Sequence, residues 1–346
     1  MKCGIVTVYN SENCGSFLQA FALTKAIEST GNQPVCIKHN FWDHSSSKVQ
    51  YIVALGKLLL KGKYNGVKLL NGRKKAFHNA VGRLQLEKNN DSIDCYILGS
   101  DTVWDIERRF FYNHRAFFWG MEFGIKKVIS YAASLGYANS DTVKNCNMVS
   151  KALENMAHIS VREDKGKEIL QPYTDKDIQV VCDPTLLLTK EVYEALAPET
   201  QYKDCIFIYN YGKMPKEYAD EIKRIAESEN LKTIVMGSCN EWCDISLPYD
   251  PFLFLGIIKN ARYVITNTFH GTVFSHILEK RFAVVDCRKV KVIDFLAKHR
   301  TLDKRFDNAA DIEKVLKSEF NYDNICAIMQ DERKYGVEYL TAAIEE

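Results

Sequence analysis

No apolar run in this chain of 346 residues approaches the roughly 18–20 residues that a helix needs to cross a bilayer. The opening, Met1-Lys2-Cys3-Gly4-Ile5-Val6-Thr7-Val8, goes directly into a strand pattern and lacks the layout of a signal peptide. Charge of one sign is also scarce. Lys and Arg number 46 against 44 Asp and Glu, a net of +2, so no global field commits the chain to nucleic acid. The eleven cysteines lack metal-ligand spacing. Cys3, Cys36, Cys95, Cys182 and Cys205 sit inside apolar runs, and Cys239 and Cys243 have no second pair, which favours a structural role over zinc. An odd count without a leader implies buried, reduced thiols and a cytoplasmic protein. Several catalytic signatures are missing as well. There is no Gly-x-Ser-x-Gly elbow, no Cys with an arranged His, no His-Glu-x-x-His and no Gly-x-Gly-x-x-Gly. Gly56 to Lys63 only superficially suggests a phosphate loop, because its spacing is wrong and no Ser or Thr follows Lys63.

What is present is a globular composition, 46% hydrophobic and 26% charged, over a length sufficient for two domains. Strands alternate with helices in two blocks. Residues 2–8, 34–38, 93–98, 127–131, 158–161 and 178–182 read as strands of the first block, with helices at 16–29, 140–155 and 165–170. A boundary falls near 189–202. Strands at 205–209, 232–236, 263–266 and 282–285 follow, with helices at 215–229, 252–260, 270–279, 290–298, 310–320 and 323–344. Such alternation implies two parallel α/β sheets facing a cleft. The expected units are 1–195, 196–320 and a final helix in 321–346.

The chain is organised around Ala261 to Ser275. A β-branched strand, Tyr263 to Thr266, runs through Asn267 and Thr268 into a helix opening at His270 and Gly271. A helix start offers bare N–H groups and a favourable dipole to an anion. Ligands of open α/β sheets bind at the carboxyl ends of strands. His270 therefore stands where an anion would be held, and imidazole can carry a proton near neutral pH. Other strand ends carry polar residues. Asn13 and Ser16 follow the first strand, as ligand contacts or helix caps. Asp101 ends the strand at 93–98, as a sugar-hydroxyl contact, a base or a turn cap. Ser134 lies among small residues after 127–131. Arg162 ends 158–161, and its guanidinium suits a carboxylate or phosphate, or an ion pair with Glu163 or Asp183. Arg288, Lys289 and Lys291 form a basic cluster after the last strand. Asp175-Lys176-Asp177 reads as a solvated turn. No metal-binding group and no cofactor is expected. The joint demand is a cationic pocket with one proton carrier, suited to group transfer from a small phosphorylated anion.

Residues 48–90 differ from the rest. They hold ten Lys or Arg against one acid, Glu87, interleaved with Ile52, Val53, Leu55, Leu58, Leu59, Val67, Leu69 and Leu70. One or two short basic amphipathic helices are expected there, as a peripheral contact to the inner face of a membrane or as a solvated cover on the first domain.

Six stretches resemble the polysaccharide pyruvyl transferases, in the family's order. They are Asn13 to Ala20, Gly99 to Trp104, Ser130 to Gly136, Ile159 to Asp164, Asp183 to Leu187, and Asn267 to Gly271. The resemblance implies a GT-B-like fold: α/β, two Rossmann-like domains, and a C-terminal helix packing back on the first. It implies transfer of pyruvate from phosphoenolpyruvate to two hydroxyls of a saccharide, free or lipid-linked, giving a cyclic ketal and phosphate. His270 takes the place of the family's proton donor and Arg162 that of an arginine tied to phosphoenolpyruvate. A basic residue follows the later strand in the family, and Arg288, Lys289 and Lys291 compete for it. Two other readings stand beside this one. A GT-B glycosyltransferase using a nucleotide sugar would need a carboxylate for the ribose, with Glu279 and Asp286 available. A sugar- or anion-binding protein without catalysis is the other.

Overall fold

The structure is a computed structural model that describes residues 1–39, 44–60, 63–237, 240–285 and 288–346, with backbone alone over 44–50. Its first sheet contains β1 (Lys2–Val6), β2 (Gln33–Ile37), β3 (Leu86–Glu87), β4 (Cys95–Leu98) and β5 (Lys127–Ser130), in the order β3-β2-β1-β4-β5. A parallel pair, β6 (Ile159–Val161) and β7 (Ile178–Val180), continues it through bridges from Ile129 to His158 and from Ala133 to Val161. The second sheet contains β8 (Cys205–Tyr209), β9 (Lys232–Met236), β10 (Ile245–Leu247), β11 (Tyr263–Thr266), β12 (Arg281–Val285) and β13 (Arg305–Phe306), in the order β10-β9-β8-β11-β12-β13. Every pairing is parallel. Helices cover both faces, so β8 and β11 are buried along their whole length and read as unbroken apolar runs rather than alternating ones.

Both sheets reverse their strand order at one point. In the first, β1 lies between β2 and β4; in the second, β8 lies between β9 and β11. At such a reversal adjacent loops turn to opposite faces and leave a crevice at the strand ends. The two crevices face each other. A Cβ added to Gly15, beyond β1, would lie 2.0 Å from Nδ1 of His270, beyond β11. The helix Tyr322–Glu345 ties the halves together. Tyr339 donates to the Ser130 carbonyl (2.9 Å), Arg333 Nε to Leu186 O (2.9 Å), and Glu332 meets His299 beside the second sheet (3.0 Å). This is the return onto the first half that the family resemblance implies, with an added contact to the second.

Several expectations change. The first helix starts at Cys14, two residues early, because the Asn13 side chain accepts from Gly15 and Ser16 N–H groups. The helix expected over 140–155 is two, Ser140–Lys144 and Val149–Asn155. The presumed linker near 189–202 contains a helix, Lys190–Leu196. The basic insertion forms two long helices, His44–Leu60 and Tyr64–Val81, of 17 and 18 residues. β3, β10 and β13 are two or three residues long, too short for periodicity to register, and each adds an edge to a sheet. Among the described residues nine cysteines are free, seven of them buried; Cys239 and Cys287 lie outside those residues. No helix among the described residues is long and apolar enough to cross a membrane.

Candidate active site

The site collects loops that leave the ends of β1, β4, β6, β7 and β11. Its hub is Asp183, which the sequence offers only as a partner for Arg162. Asp183 is 2% exposed and caps the short turn Pro184–Leu187. Its Oδ1 accepts from Thr185 N (3.0 Å) and Thr185 Oγ1 (2.8 Å). Its Oδ2 accepts from Arg162 Nη1 (2.9 Å) and Ser100 Oγ (3.2 Å), and lies 3.8 Å from His270 Nε2. Burial pushes the carboxyl pKa up, but His270, Arg162 and the Thr185 N–H outweigh it and hold it far below the carboxylate range. A fixed negative charge thus lies between a guanidinium and an imidazole.

Arg162 follows β6 directly, and its side chain is 4% exposed. Nε donates to Glu163 Oε1 at 2.9 Å and Nη1 to Asp183, so both ion pairs foreseen for it are present together. Glu163 does not cap the following helix; its Oε1 also accepts from Ser134 Oγ (2.8 Å). The guanidinium carbon stands 4.7 Å from the centre of the Phe269 ring. Nη2 is buried and has no hydrogen-bond partner. His270 Nε2 is buried too, and its 3.8 Å approach to Asp183 Oδ2 is longer than a hydrogen bond. Arg162 and His270 thus approach one carboxylate, and Arg162 keeps Nη2 in reserve.

The helix Phe269–Ile277 begins here. Its cap residue Thr268 accepts from Gly271 N at 3.0 Å, leaving the first-turn N–H groups of Phe269 and His270 at the crevice. Gly271 is required because a Cβ would lie 2.2 Å from Thr266 Oγ1. Asn267 holds the β8 loop, accepting from Tyr211 N (2.8 Å) and donating to Tyr211 O (2.9 Å). Asn13, Asn267, Thr268 and Gly271 thus build the two loops.

Asp101 closes the other side. It adopts φ +72°, accepts from Ser16 Oγ (2.5 Å) and Thr102 N (2.8 Å), and joins the loops after β1 and β4. Burial raises its pKa, but Lys291, His270, the Ser16 hydroxyl and Arg162 hold it below the ordinary value. Lys291 is lowered by burial and by Arg162, with Asp101 and Glu163 acting the other way. Lys291 therefore feels the site charges, and its Nζ lies 5.6 Å from the centre of the Phe269 ring. Lys289 Nζ donates to Asn267 O (2.8 Å), and Arg288 is exposed. Glu279 lies beyond the far end of the helix and pairs with Lys190 (2.6 Å); Asp286 lies outside the described residues.

The arrangement can hold a compact anion against Arg162, Lys291 and a helix start, with His270 and Asp101 as proton-transfer groups. Ser100, and the place of Asp183 at the centre of the site, escape a reading of the sequence. Asp-Pro-Thr after a strand looks like any cap, and its second duty depends on side chains 83 and 21 residues away.

The model of the polysaccharide pyruvyl transferase family matches residues 13–288. No curated protein sequence matches the chain. Among solved structures, the UDP-GlcNAc 2-epimerase of Methanocaldococcus jannaschii superposes with a TM-score of 0.55 at 14% identity, over 99% of this chain and 100% of that one. The UDP-GlcNAc 2-epimerase of Neisseria meningitidis gives 0.53 at 11%, over 98% and 99%. The glycotransferase of kitacinnamycin gives 0.51 at 10%, over 99% and 98%. At these identities the likeness shows the fold alone, and that fold is the GT-B type.

Proposed function

The chain belongs to the polysaccharide pyruvyl transferase family, and from that premise we propose that it transfers pyruvate from phosphoenolpyruvate to a saccharide, on a polysaccharide or its lipid-linked precursor. The observation that carries the reading is the buried Arg162 Nη2, which has no hydrogen-bond partner among the described residues, beside the His270–Asp183 pair at the opening of the helix Phe269–Ile277. Buried donors without acceptors are costly and rare, so this one favours an anionic ligand. Phosphoenolpyruvate is small and carries two or three negative charges. Arg162, Lys291 and the helix start offer counter-charge.

The reaction converts the methylene of the donor to a methyl group. Imidazolium of His270 gives its proton to that carbon, and the neighbouring carbon becomes electrophilic. One acceptor hydroxyl adds there, losing its proton to a base, with Asp101 in that role. The second hydroxyl then displaces phosphate, which leaves with the carbon–oxygen bonding pair while the hydroxyl proton passes to the site. Two carbon–oxygen bonds form and one breaks. Arg162 and Lys291 stabilise charge on the departing phosphate.

Thermal unfolding tests this reading. Phosphoenolpyruvate at about 100-fold its Kd is expected to add roughly 2.7 kcal/mol, whereas UDP-GlcNAc adds nothing. Phosphate release is expected only with a saccharide acceptor. Stabilisation by the nucleotide sugar alone would replace this reading with that of a nucleotide-sugar enzyme. A second expectation concerns Gly15→Ala. The added methyl overlaps the His270 ring, 2.0 Å from Nδ1 and 2.3 Å from Cγ, so the ring must move. Displacement by about 1 Å costs on the order of 100-fold in turnover. Stability should fall by about 1–3 kcal/mol, because the overlap reaches His270 Cβ at 2.7 Å, the base of the side chain. Unaltered turnover would show that the ring position is not critical.

A further inference from the structure

We propose that the two helices His44–Leu60 and Tyr64–Val81 form a docking surface for a bilayer bearing anionic headgroups. From His44 to Leu86 the sequence has no Asp or Glu and nine Lys or Arg. The helices present apolar side chains outward: Ile52 is 64% exposed, Val53 49%, Leu59 47%, Leu60 90% and Tyr64 67%. These are five of the fourteen strongly exposed large hydrophobic residues among the described residues, and they fall within thirteen positions. Singly exposed apolar residues are ordinary; a cluster this dense marks a contact surface.

Spacing puts the cluster on one side. Ile52 and Leu59 are two turns apart, as are Val53 and Leu60 with Lys57 between them. Exposed Lys57, Lys63 and Lys68 lie among them. The opposite side is taken up by the protein. Phe77 and Ala80 are buried, a Cβ on Gly72 would lie 2.8 Å from Pro248, and Leu58, Leu69 and Leu70 face Tyr249 around a cavity of about 210 Å³. The outward face therefore has no task in the core. Apolar residues rimmed by lysines, without any carboxylate, match the boundary between anionic headgroups and acyl chains. Charge complementarity selects this occupant over a second copy of the chain, whose own hairpin would bring lysine against lysine. On its inward side the helix pair touches the loop after β1: Arg73 pairs with Glu12 at 2.6 Å, and Glu12 precedes the cap Asn13. None of this depends on the pyruvyl-transfer reading, because vesicle binding is measured without substrate.

The full chain is mixed with vesicles of phosphatidylcholine, with or without 30% (about one lipid in three) phosphatidylglycerol, and floated. Wild type should float only with the anionic vesicles and should be released by salt. Lys57→Gln/Lys63→Gln/Lys68→Gln should weaken partitioning by about 100-fold, at roughly five-fold per lysine. Ile52→Glu/Leu60→Glu should abolish flotation. Both variants change exposed positions and should melt with wild type, which separates lost docking from lost folding. Equal flotation with both vesicle types, or flotation of both variants, would overturn the proposal. So would sedimentation showing a dimer that Leu60→Glu splits, with no vesicle binding by wild type.

Discussion

Arg162→Ala is expected to lose about 3–5 kcal/mol of stability and all stabilisation by phosphoenolpyruvate. The Arg162 side chain is 4% exposed and that of Asp183 1%, so truncation leaves a carboxylate inside the protein with only Ser100, Thr185 and His270 near it. Removing one partner of a buried pair costs more than the pair contributes, because the remaining charge is stranded. The loss is a large share of the roughly 5–15 kcal/mol that stabilises a typical domain. Arg162→Lys separates the structural effect from the binding effect. An ammonium can satisfy Asp183 but cannot also reach Glu163 and present a further donor, since its three N–H bonds radiate from one atom. Lysine should therefore recover part of the stability and little of the ligand effect. Melting curves with and without phosphoenolpyruvate decide the matter. If Arg162→Ala responds to the ligand as wild type does, the guanidinium is structural and the anion lies elsewhere.

His270→Asn should keep the ligand response and lose less stability than Arg162→Ala, while turnover falls by about 10²–10⁴-fold. Asparagine keeps a polar group near Asp183 without a transferable proton. The readout closest to the chemistry is isotopic. In deuterium oxide the wild-type product should gain one deuterium in the ketal methyl, because the carbon is protonated from an exchangeable group. A slow variant that still forms ketal, with the same deuterium content, would show solvent protonating the carbon in place of the ring. Turnover equal to wild type would remove His270 from the chemistry.

The legible part of this site was local. His270 at a helix start and Arg162 at a strand end follow from short-range pattern, since a β-branched run of four residues ending in Asn-Thr leaves the next residues at the carboxyl edge. Asn13 and Thr268 carry the cap function that their residue types and positions suggest. The basic cluster resisted reading because three cations within four positions are equivalent in a string. In space Lys289 donates to the Asn267 carbonyl, and Lys291 lies over the Phe269 ring. The central place of Asp183 was hidden, beyond its pair with Arg162, because one of its oxygens performs the ordinary capping duty and only the other reaches Ser100 and the site.

The sequence by itself determined the two α/β blocks, most strand positions and the presence of a histidine and an arginine at the mouths of the sheets. Those features depend on periodicity and on neighbours a few residues away, which the order of residues contains. Tertiary structure decided which groups meet. Ser16 joins Asp101 across 85 positions, Ser100 joins Asp183 across 83, and Gly15 lies under the ring of His270 from the opposite half of the chain. Such contacts arise from the strand order of two sheets and from the closeness of their crevices, and no local pattern encodes either.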